Sequence, residues 1–182
     1  MKKIYYSWDD IERQCQSIVN QIARDSWLPD YIVGITRGGN VPATAISHML
    51  NVRCEALKVA LRNGNDCESN LWMAEDAFGV IYDENNHNRP DDSARKNILI
   101  IDDINDTGDT LNWIQQDWKK SCFPNEEYAW NSVWKNNVRF ATLVHNTPSV
   151  FNALSYYATE INKSADPSWI VFPWECVGEY RC

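Results

Sequence analysis

Two successive carboxylates, Asp102 and Asp103, end the most apolar run of the chain, Asn97-Ile98-Leu99-Ile100-Ile101. Ile104-Asn105-Asp106-Thr107-Gly108-Asp109-Thr110 follows, and Leu111, Ile114 and Trp118 then recur at helical spacing. A buried strand that turns into a helix in this way collects unpaired backbone N–H groups and the positive end of the helix dipole. Gly108 lets the turn coil closely, and the hydroxyls of Thr107 and Thr110 add donors, so the turn is suited to cradle a phosphate. Asp102 and Asp103, at the strand tip, are suited to hydrogen-bond vicinal hydroxyls. A pocket holding both devices matches a sugar phosphate.

Other readings of this turn explain less. Asp103, Asn105, Thr107 and Gly108 fall at the first, third, fifth and sixth positions of a calcium loop, but Ile114 occupies the twelfth, where a bidentate Glu is needed. No Gly-Lys-Ser/Thr is present for a nucleotide P-loop. An acidic turn that only caps a helix is the plain structural alternative. A second turn, Thr36-Arg37-Gly38-Gly39, also leaves a short apolar run, Tyr31-Ile32-Val33-Gly34-Ile35. Its glycines let backbone amides approach an anion, and Arg37 supplies a charged fork. Alone this string is a common turn; beside the acidic turn it reads as a second anion site.

These residues need elements to hold them. Ser7 with Asp10 is a helix-start signature, and Ile11, Cys15, Ile18 and Ile22 keep helical spacing, which predicts a helix over 8–25. Strands are predicted over 31–35, 52–60, 97–101, 138–144 and 169–172, and a second helix over 41–50. Alternating strands and helices imply an α/β fold with a mostly parallel sheet covered on both faces. In such sheets ligands bind beyond the carboxyl ends of the strands, where both glycine turns lie. Between the turns, 61–96 carries eight acids, four bases and several turn signals, with 71–73 and 80–82 as candidate small elements. No repeat or linker divides the chain, so 1–182 reads as a single domain.

Composition narrows the field. The 182 residues are 44% hydrophobic with nine tryptophans, enough to bury a core. No run approaches the length of a membrane span, and the first residues lack the apolar centre of a signal peptide. A net charge of −8 opposes non-specific binding to nucleic acid or anionic membrane. The six cysteines form no C-x-x-C pair and are expected to be reduced thiols of a cytoplasmic protein.

The segment from Ile98 to Leu111 closely resembles the phosphoribosyl-pyrophosphate motif of type I phosphoribosyltransferases. Thr36-Arg37-Gly38-Gly39 resembles the pyrophosphate loop of that family. Trp169-Ile170-Val171-Phe172-Pro173-Trp174-Glu175 resembles the C-terminal stretch of hypoxanthine and xanthine-guanine phosphoribosyltransferases. The resemblance implies the type I phosphoribosyltransferase fold, Rossmann-like, with a flexible hood over 61–96 and a base-binding segment over 146–182. It implies transfer of the 5-phosphoribosyl group from phosphoribosyl pyrophosphate to a purine base, with Mg2+, by a homodimer or homotetramer.

By the same resemblance, Asp102 and Asp103 bind the ribose hydroxyls and, with Glu175, serve the metal. Asp106, Thr107, Gly108, Asp109 and Thr110 hold the 5-phosphate, and Asp106 is also the general base towards the purine N7. Thr36, Arg37, Gly38 and Gly39 hold pyrophosphate, with a non-proline cis peptide before Arg37, whose charge offsets the leaving group. Trp169 stacks on the base and Ile170 lines its pocket, while Trp174 suits either site or core.

Two positions depart from the pattern. Asp109 stands where a small or basic residue is usual, and an acid repels phosphate. Asn146, next to His145, stands where the purine enzymes place a lysine towards the exocyclic oxygen of the base. These departures keep open an alternative: a protein of this fold that binds a nucleotide with weak or no catalysis. A nucleic-acid-binding regulator on the same fold is opposed by the acidic charge. The stretch 61–96, with both ends expected beside the site, is predicted to close over it during turnover and exclude water. Its rival reading is a surface insertion for oligomer contacts.

Overall fold

A computed structural model describes residues 2–61, 66–68, 70–85 and 87–176. The elements in chain order are Lys2–Tyr5 (β1), Trp8–Arg24 (α1), Tyr31–Thr36 (β2), Asn40–Leu50 (α2), Arg53–Ala60 (β3), Asp66–Cys67 (β4), Leu71–Phe78 (α3) and Val80–Tyr82 (β5). They continue with Asn88–Pro90 (β6), Ile98–Asn105 (β7), Asp109–Ser121 (α4), Glu127–Trp130 (α5), Val138–Asn146 (β8), Leu154–Ile161 (β9) and Ser168–Val171 (β10). The central sheet runs β4-β3-β2-β7-β8-β9, parallel throughout except for the β3–β4 pair. β2 and the first half of β7, Ile98 to Ile101, are continuous apolar runs because both of their faces are covered, and β8 is buried along most of its length.

One face of the sheet meets α1 and α2 through Ile11, Cys15, Ile18, Ile22, Ala43 and Ile46. The other meets α3, α4 and α5 through Met73, Phe78, Leu111, Ile114, Trp118 and Trp130. The start of α1 is closed by the expected reciprocal bonds: Asp10 N–H donates to Ser7 Oγ, and Ser7 N–H donates to the Asp10 carboxylate. No helix among the described residues is long and apolar enough to cross a membrane. Cys15, Cys54, Cys67 and Cys122 are free thiols, but Cys176 is disulfide-bonded, against the expectation that every thiol is reduced.

The excursion 61–96 differs from its prediction. β3 leaves the sheet at its carboxyl end, whereas β7 must be entered at the opposite end to run parallel, so the intervening chain crosses the whole sheet. Ile98 accordingly pairs with Tyr31 and Val138 at the strand starts, and only the first end of the excursion lies beside the glycine turns. Within it, α3 buries Met73, Ala74, Ala77 and Phe78. Phe78 lies 5.3 Å from Phe123 and 5.0 Å from Trp130, ring centre to ring centre. Exposing such an aromatic costs on the order of 3–5 kcal/mol, judged from large-to-small core substitutions, which is too much for a lid that opens at each turnover. α3 is therefore part of the core, whereas β5, β6 and the chain up to β7 lie at the surface. The part of the predicted hood before α3 is 61–70, of which 62–65 and 69 lie outside the described residues.

Besides the short β4 and β6, two strands that bear on the site appear where none was predicted. β9 is an edge strand, half-exposed along most of its length, so Leu154-Ser155-Tyr156-Tyr157-Ala158-Thr159-Glu160-Ile161 lacks the apolar run of a central strand. β1 pairs in parallel with β10, setting Lys3 opposite Trp169 and Ile4 opposite Ile170. This two-stranded ribbon seats the C-terminal segment, of which 177–182 lie outside the described residues.

Candidate active site

A cavity of about 1000 Å³ opens where β2 and β7 end. Its wall takes Thr36, Arg37 and Gly38 from the first glycine turn and the run from Asp102 to Leu111 from the second. Lys163, from the β9–β10 connection, and Trp169, Ile170, Phe172, Trp174 and Glu175 close the far side. Thus a crossover between sheet neighbours brings together segments that are far apart in sequence, as parallel α/β topology requires.

The acidic turn is held from beneath by the chain that follows β8. Asn105 is buried; its side chain contacts His145 Nδ1 at 3.1 Å and accepts from Ser149 Oγ at 2.8 Å. Val150 N–H donates to Thr107 O at 2.9 Å. Gly108 takes φ 98°, and a Cβ there would stand 2.6 Å from Phe151 N, so the turn admits only glycine at this point. Thr110 lies in the first turn of α4, which begins at Asp109 and has no side chain at its cap residue Gly108.

Asp102 and Asp103 lie inside β7, which continues to Asn105 instead of ending at 101; they follow its last pair with β2, Gly34 with Ile101, and Asp102 Oδ1 accepts from Asp103 N–H at 2.9 Å. A Cβ on Gly38 would stand 1.8 Å from Asp103 Oδ2, so the first glycine turn and the paired acids of β7 are in direct contact. Burial, reinforced by the negative charge of Glu175, pushes the Asp103 carboxyl up to about 6. The peptide between Thr36 and Arg37 is cis, as the resemblance implies. Gly39, in contrast, does not line the cavity. A Cβ there would lie 2.4 Å from Ile101 O and 2.8 Å from Ile35 O, so its missing side chain lets α2 start between β2 and β7.

Asp102, Asp103 and Glu175 are hard oxygen donors of the kind Mg2+ takes, and a cation would relieve the buried charge of Asp103. They do not form a cage by themselves. Glu175 Oε2 accepts from Phe172 N–H at 2.9 Å, and no cluster of three or more metal-ligating side chains occurs among the described residues. That fits an ion bound through one or two carboxylates with substrate phosphates and water completing its shell.

Asn146 is the clearest correction. It does not line the cavity; it is buried, and its Nδ2 donates to Asp106 O at 3.1 Å and Asp106 Oδ1 at 3.2 Å. Its Oδ1 accepts from Lys163 N–H at 3.0 Å. Lys163 Nζ in turn lies 2.8 Å from Asp106 Oδ2 and 6.0 Å from the centre of the Trp169 ring. The cation absent from position 146 thus enters from β9, the strand beside β8, two residues past its end. Sequence reasoning missed it because β9 itself was not recognised.

Trp169 lines the cavity with 45% of its surface exposed, while Ile170 beside it is buried. Phe172 and Trp174 stack at 4.7 Å and within 4° of parallel, so Trp174 serves wall and packing at once. All other residues expected at the site line this one cavity: Thr36, Arg37, Gly38, Asp102, Asp103, Asp106, Thr107, Gly108, Asp109, Thr110 and Glu175.

Known proteins share the family and the fold. A family model described as the phosphoribosyl transferase domain matches residues 2–180. A xanthine-guanine phosphoribosyltransferase of Cereibacter sphaeroides is 28% identical, covering 98% of this chain and 90% of its own. A hypoxanthine-guanine phosphoribosyltransferase of Schizosaccharomyces pombe is 24% identical, covering 95% and 89%. The fold is shared with a purine phosphoribosyltransferase structure from Pyrococcus horikoshii, with a TM-score of 0.60, 22% identity and all of both chains covered. A family match over nearly the whole chain, on a fold that gathers its motifs around one cavity, places this protein in the phosphoribosyl transferase domain family.

Proposed function

We propose that this enzyme transfers the 5-phosphoribosyl group from phosphoribosyl pyrophosphate to a 6-oxopurine (hypoxanthine, guanine or xanthine) and releases pyrophosphate. The carrying observation is the Lys163–Asp106 pair, which faces Trp169 across the cavity that also holds the phosphate cradle. A flat base stacked on Trp169 meets a donor-only ammonium beside a carboxylate acceptor. An oxo group next to a ring N–H complements that pair; an amino group would set donor against donor.

In this reading the amides and hydroxyls of Thr107 to Thr110 bind the 5-phosphate, and Asp102 and Asp103 hold the ribose. The bond from the anomeric carbon to pyrophosphate breaks, a bond forms to N9 of the purine through its free lone pair, and Asp106 receives the proton carried by N7, which leaves the purine of the product neutral. Arg37 offsets charge on the departing pyrophosphate. Mg2+, held through Asp102 and Asp103, would supply further positive charge at the diphosphate. The names of the relatives, hypoxanthine-guanine and xanthine-guanine phosphoribosyltransferases, support the base class. A cytoplasmic location belongs to the same proposal, supported by four free thiols among the described residues, with the Cys176 disulfide against it; a homo-oligomer rests on the family resemblance alone.

The test is nucleotide formation from phosphoribosyl pyrophosphate, Mg2+ and a panel of bases. Hypoxanthine, guanine or xanthine is expected to react in preference to adenine, and Asp102→Asn with Asp103→Asn to abolish binding of phosphoribosyl pyrophosphate while the fold persists. Turnover of adenine alone, or of no base, overturns the proposal.

A further inference from the structure

We propose that Asp109 is a built-in competitor for the 5-phosphate, occupying its donors in the empty enzyme and lowering the affinity for every phosphate-bearing ligand. The inference rests on the function proposed above. Its basis is the geometry at the start of α4. Thr107 Oγ1, one of the cradle's two hydroxyls, donates to Asp109 Oδ2 at 2.9 Å, and Asp109 N–H points back to Thr107 Oγ1 at 3.4 Å. Both side chains are exposed and line the cavity. The carboxylate therefore already stands among the donors that a phosphate would use, with the same charge sign and the same hydrogen-bonding preference.

The surroundings sharpen the conflict. Described side chains lining the cavity carry the acids Asp102, Asp103, Asp106, Asp109 and Glu175 against the bases Arg37 and Lys163. Lys163 is committed to Asp106, and Arg37 belongs to the other glycine turn. The cradle thus has no side-chain cation of its own among the described residues to offset Asp109. When phosphate arrives, Asp109 must release Thr107 and turn away, or the two anions repel at short range. In the free enzyme the same carboxylate is favourable, because an acid in the first turn of α4 complements the helix dipole. Phosphate and Asp109 therefore compete for one terminus, and the product nucleotide leaves faster than it would from a neutral cradle.

Asp109→Asn removes the charge and keeps the acceptor oxygen. Calorimetry would compare wild type and variant for phosphoribosyl pyrophosphate with Mg2+, for inosine and guanosine 5′-monophosphates, for inorganic phosphate, and for the two nucleosides without phosphate. Removing one unit charge a few ångströms away is expected to tighten the phosphate-bearing ligands by about tenfold. The nucleosides should change by less than about twofold, since they never reach the cradle. The free variant should also melt at a lower temperature, as loss of the helix-terminal acid requires. Lower melting without tighter phosphate binding reduces Asp109 to a helix cap and overturns the proposal, and equal tightening of nucleosides and nucleotides overturns it as well. Asp109→Ser, which retains a capping hydroxyl, provides the same comparison should the Asn variant fold poorly. Wild-type protein that turns over no base is a separate outcome, which sinks the assigned reaction through the panel assay rather than through these affinities.

Discussion

Asn146 and Lys163 exchange the roles that their types and positions suggest. Asn146, placed by resemblance against the base, clamps Asp106 and the backbone of Lys163 instead, and the lysine carries the charge. Lys163→Met is expected to lower kcat/KM for 6-oxopurines by about 10- to 100-fold, the worth of a hydrogen bond to a charged partner, while phosphoribosyl pyrophosphate affinity holds. Lys163→Arg should recover part of that loss. Steady-state kinetics with each base decide it: equal losses on adenine and hypoxanthine would leave Lys163 a structural pair for Asp106. Asn146→Lys, which restores the lysine of the family pattern, is expected to reduce base use, because the new side chain cannot return the bonds to Asp106 and Lys163.

At the scale of elements, the cavity depends on how closely α2 can begin against the sheet. Gly39 stands where a Cβ would meet two backbone carbonyl oxygens at less than 3 Å, and backbone cannot step aside as a side chain can. Gly39→Ala should therefore destabilise the fold by about 1–3 kcal/mol or more, as overpacking does, and shift the adjoining Thr36-Arg37-Gly38 turn. Denaturant unfolding would read the first effect and pyrophosphate affinity the second; unchanged stability would mean that the start of α2 relaxes freely. Elements that are long and central were legible in sequence: β2, β8 and α1 lie close to their predicted limits, while β7 starts as predicted and runs four residues further, through Asp102 and Asp103. α3 was not, because Met73, Ala74, Ala77 and Phe78 are interrupted by exposed or charged neighbours and flanked by turn signals. β1 is four residues of mostly exposed surface, and nothing local marks it as a strand.

At the scale of the whole molecule, the turn that holds the site is also tied to global stability through His145. Burial holds this histidine below its usual range, and its Nδ1 faces the Asn105 carboxamide, so the neutral ring is the form the fold accepts. Because the folded value is depressed, the unfolded chain takes up the proton first as pH falls through about 6.5, and stability is lost below that point. Between about pH 7.5 and about pH 5.5 the wild type should lose stability more steeply than His145→Gln, as measured by denaturant midpoints. Identical slopes would show that His145 titrates alike in both states. The residues that line the cavity from its two glycine turns were legible in sequence because Asp102 to Thr110 and Thr36 to Gly38 are contiguous, and local chain geometry alone is suited to build the proposed phosphate cradle and second anion turn. What contiguity cannot reveal is which residue from a distant strand completes them. Only the tertiary structure brought Lys163 to Asp106, laid β1 along β10 and carried the chain after β3 across the sheet, because strand order and register are set by burial over the whole molecule.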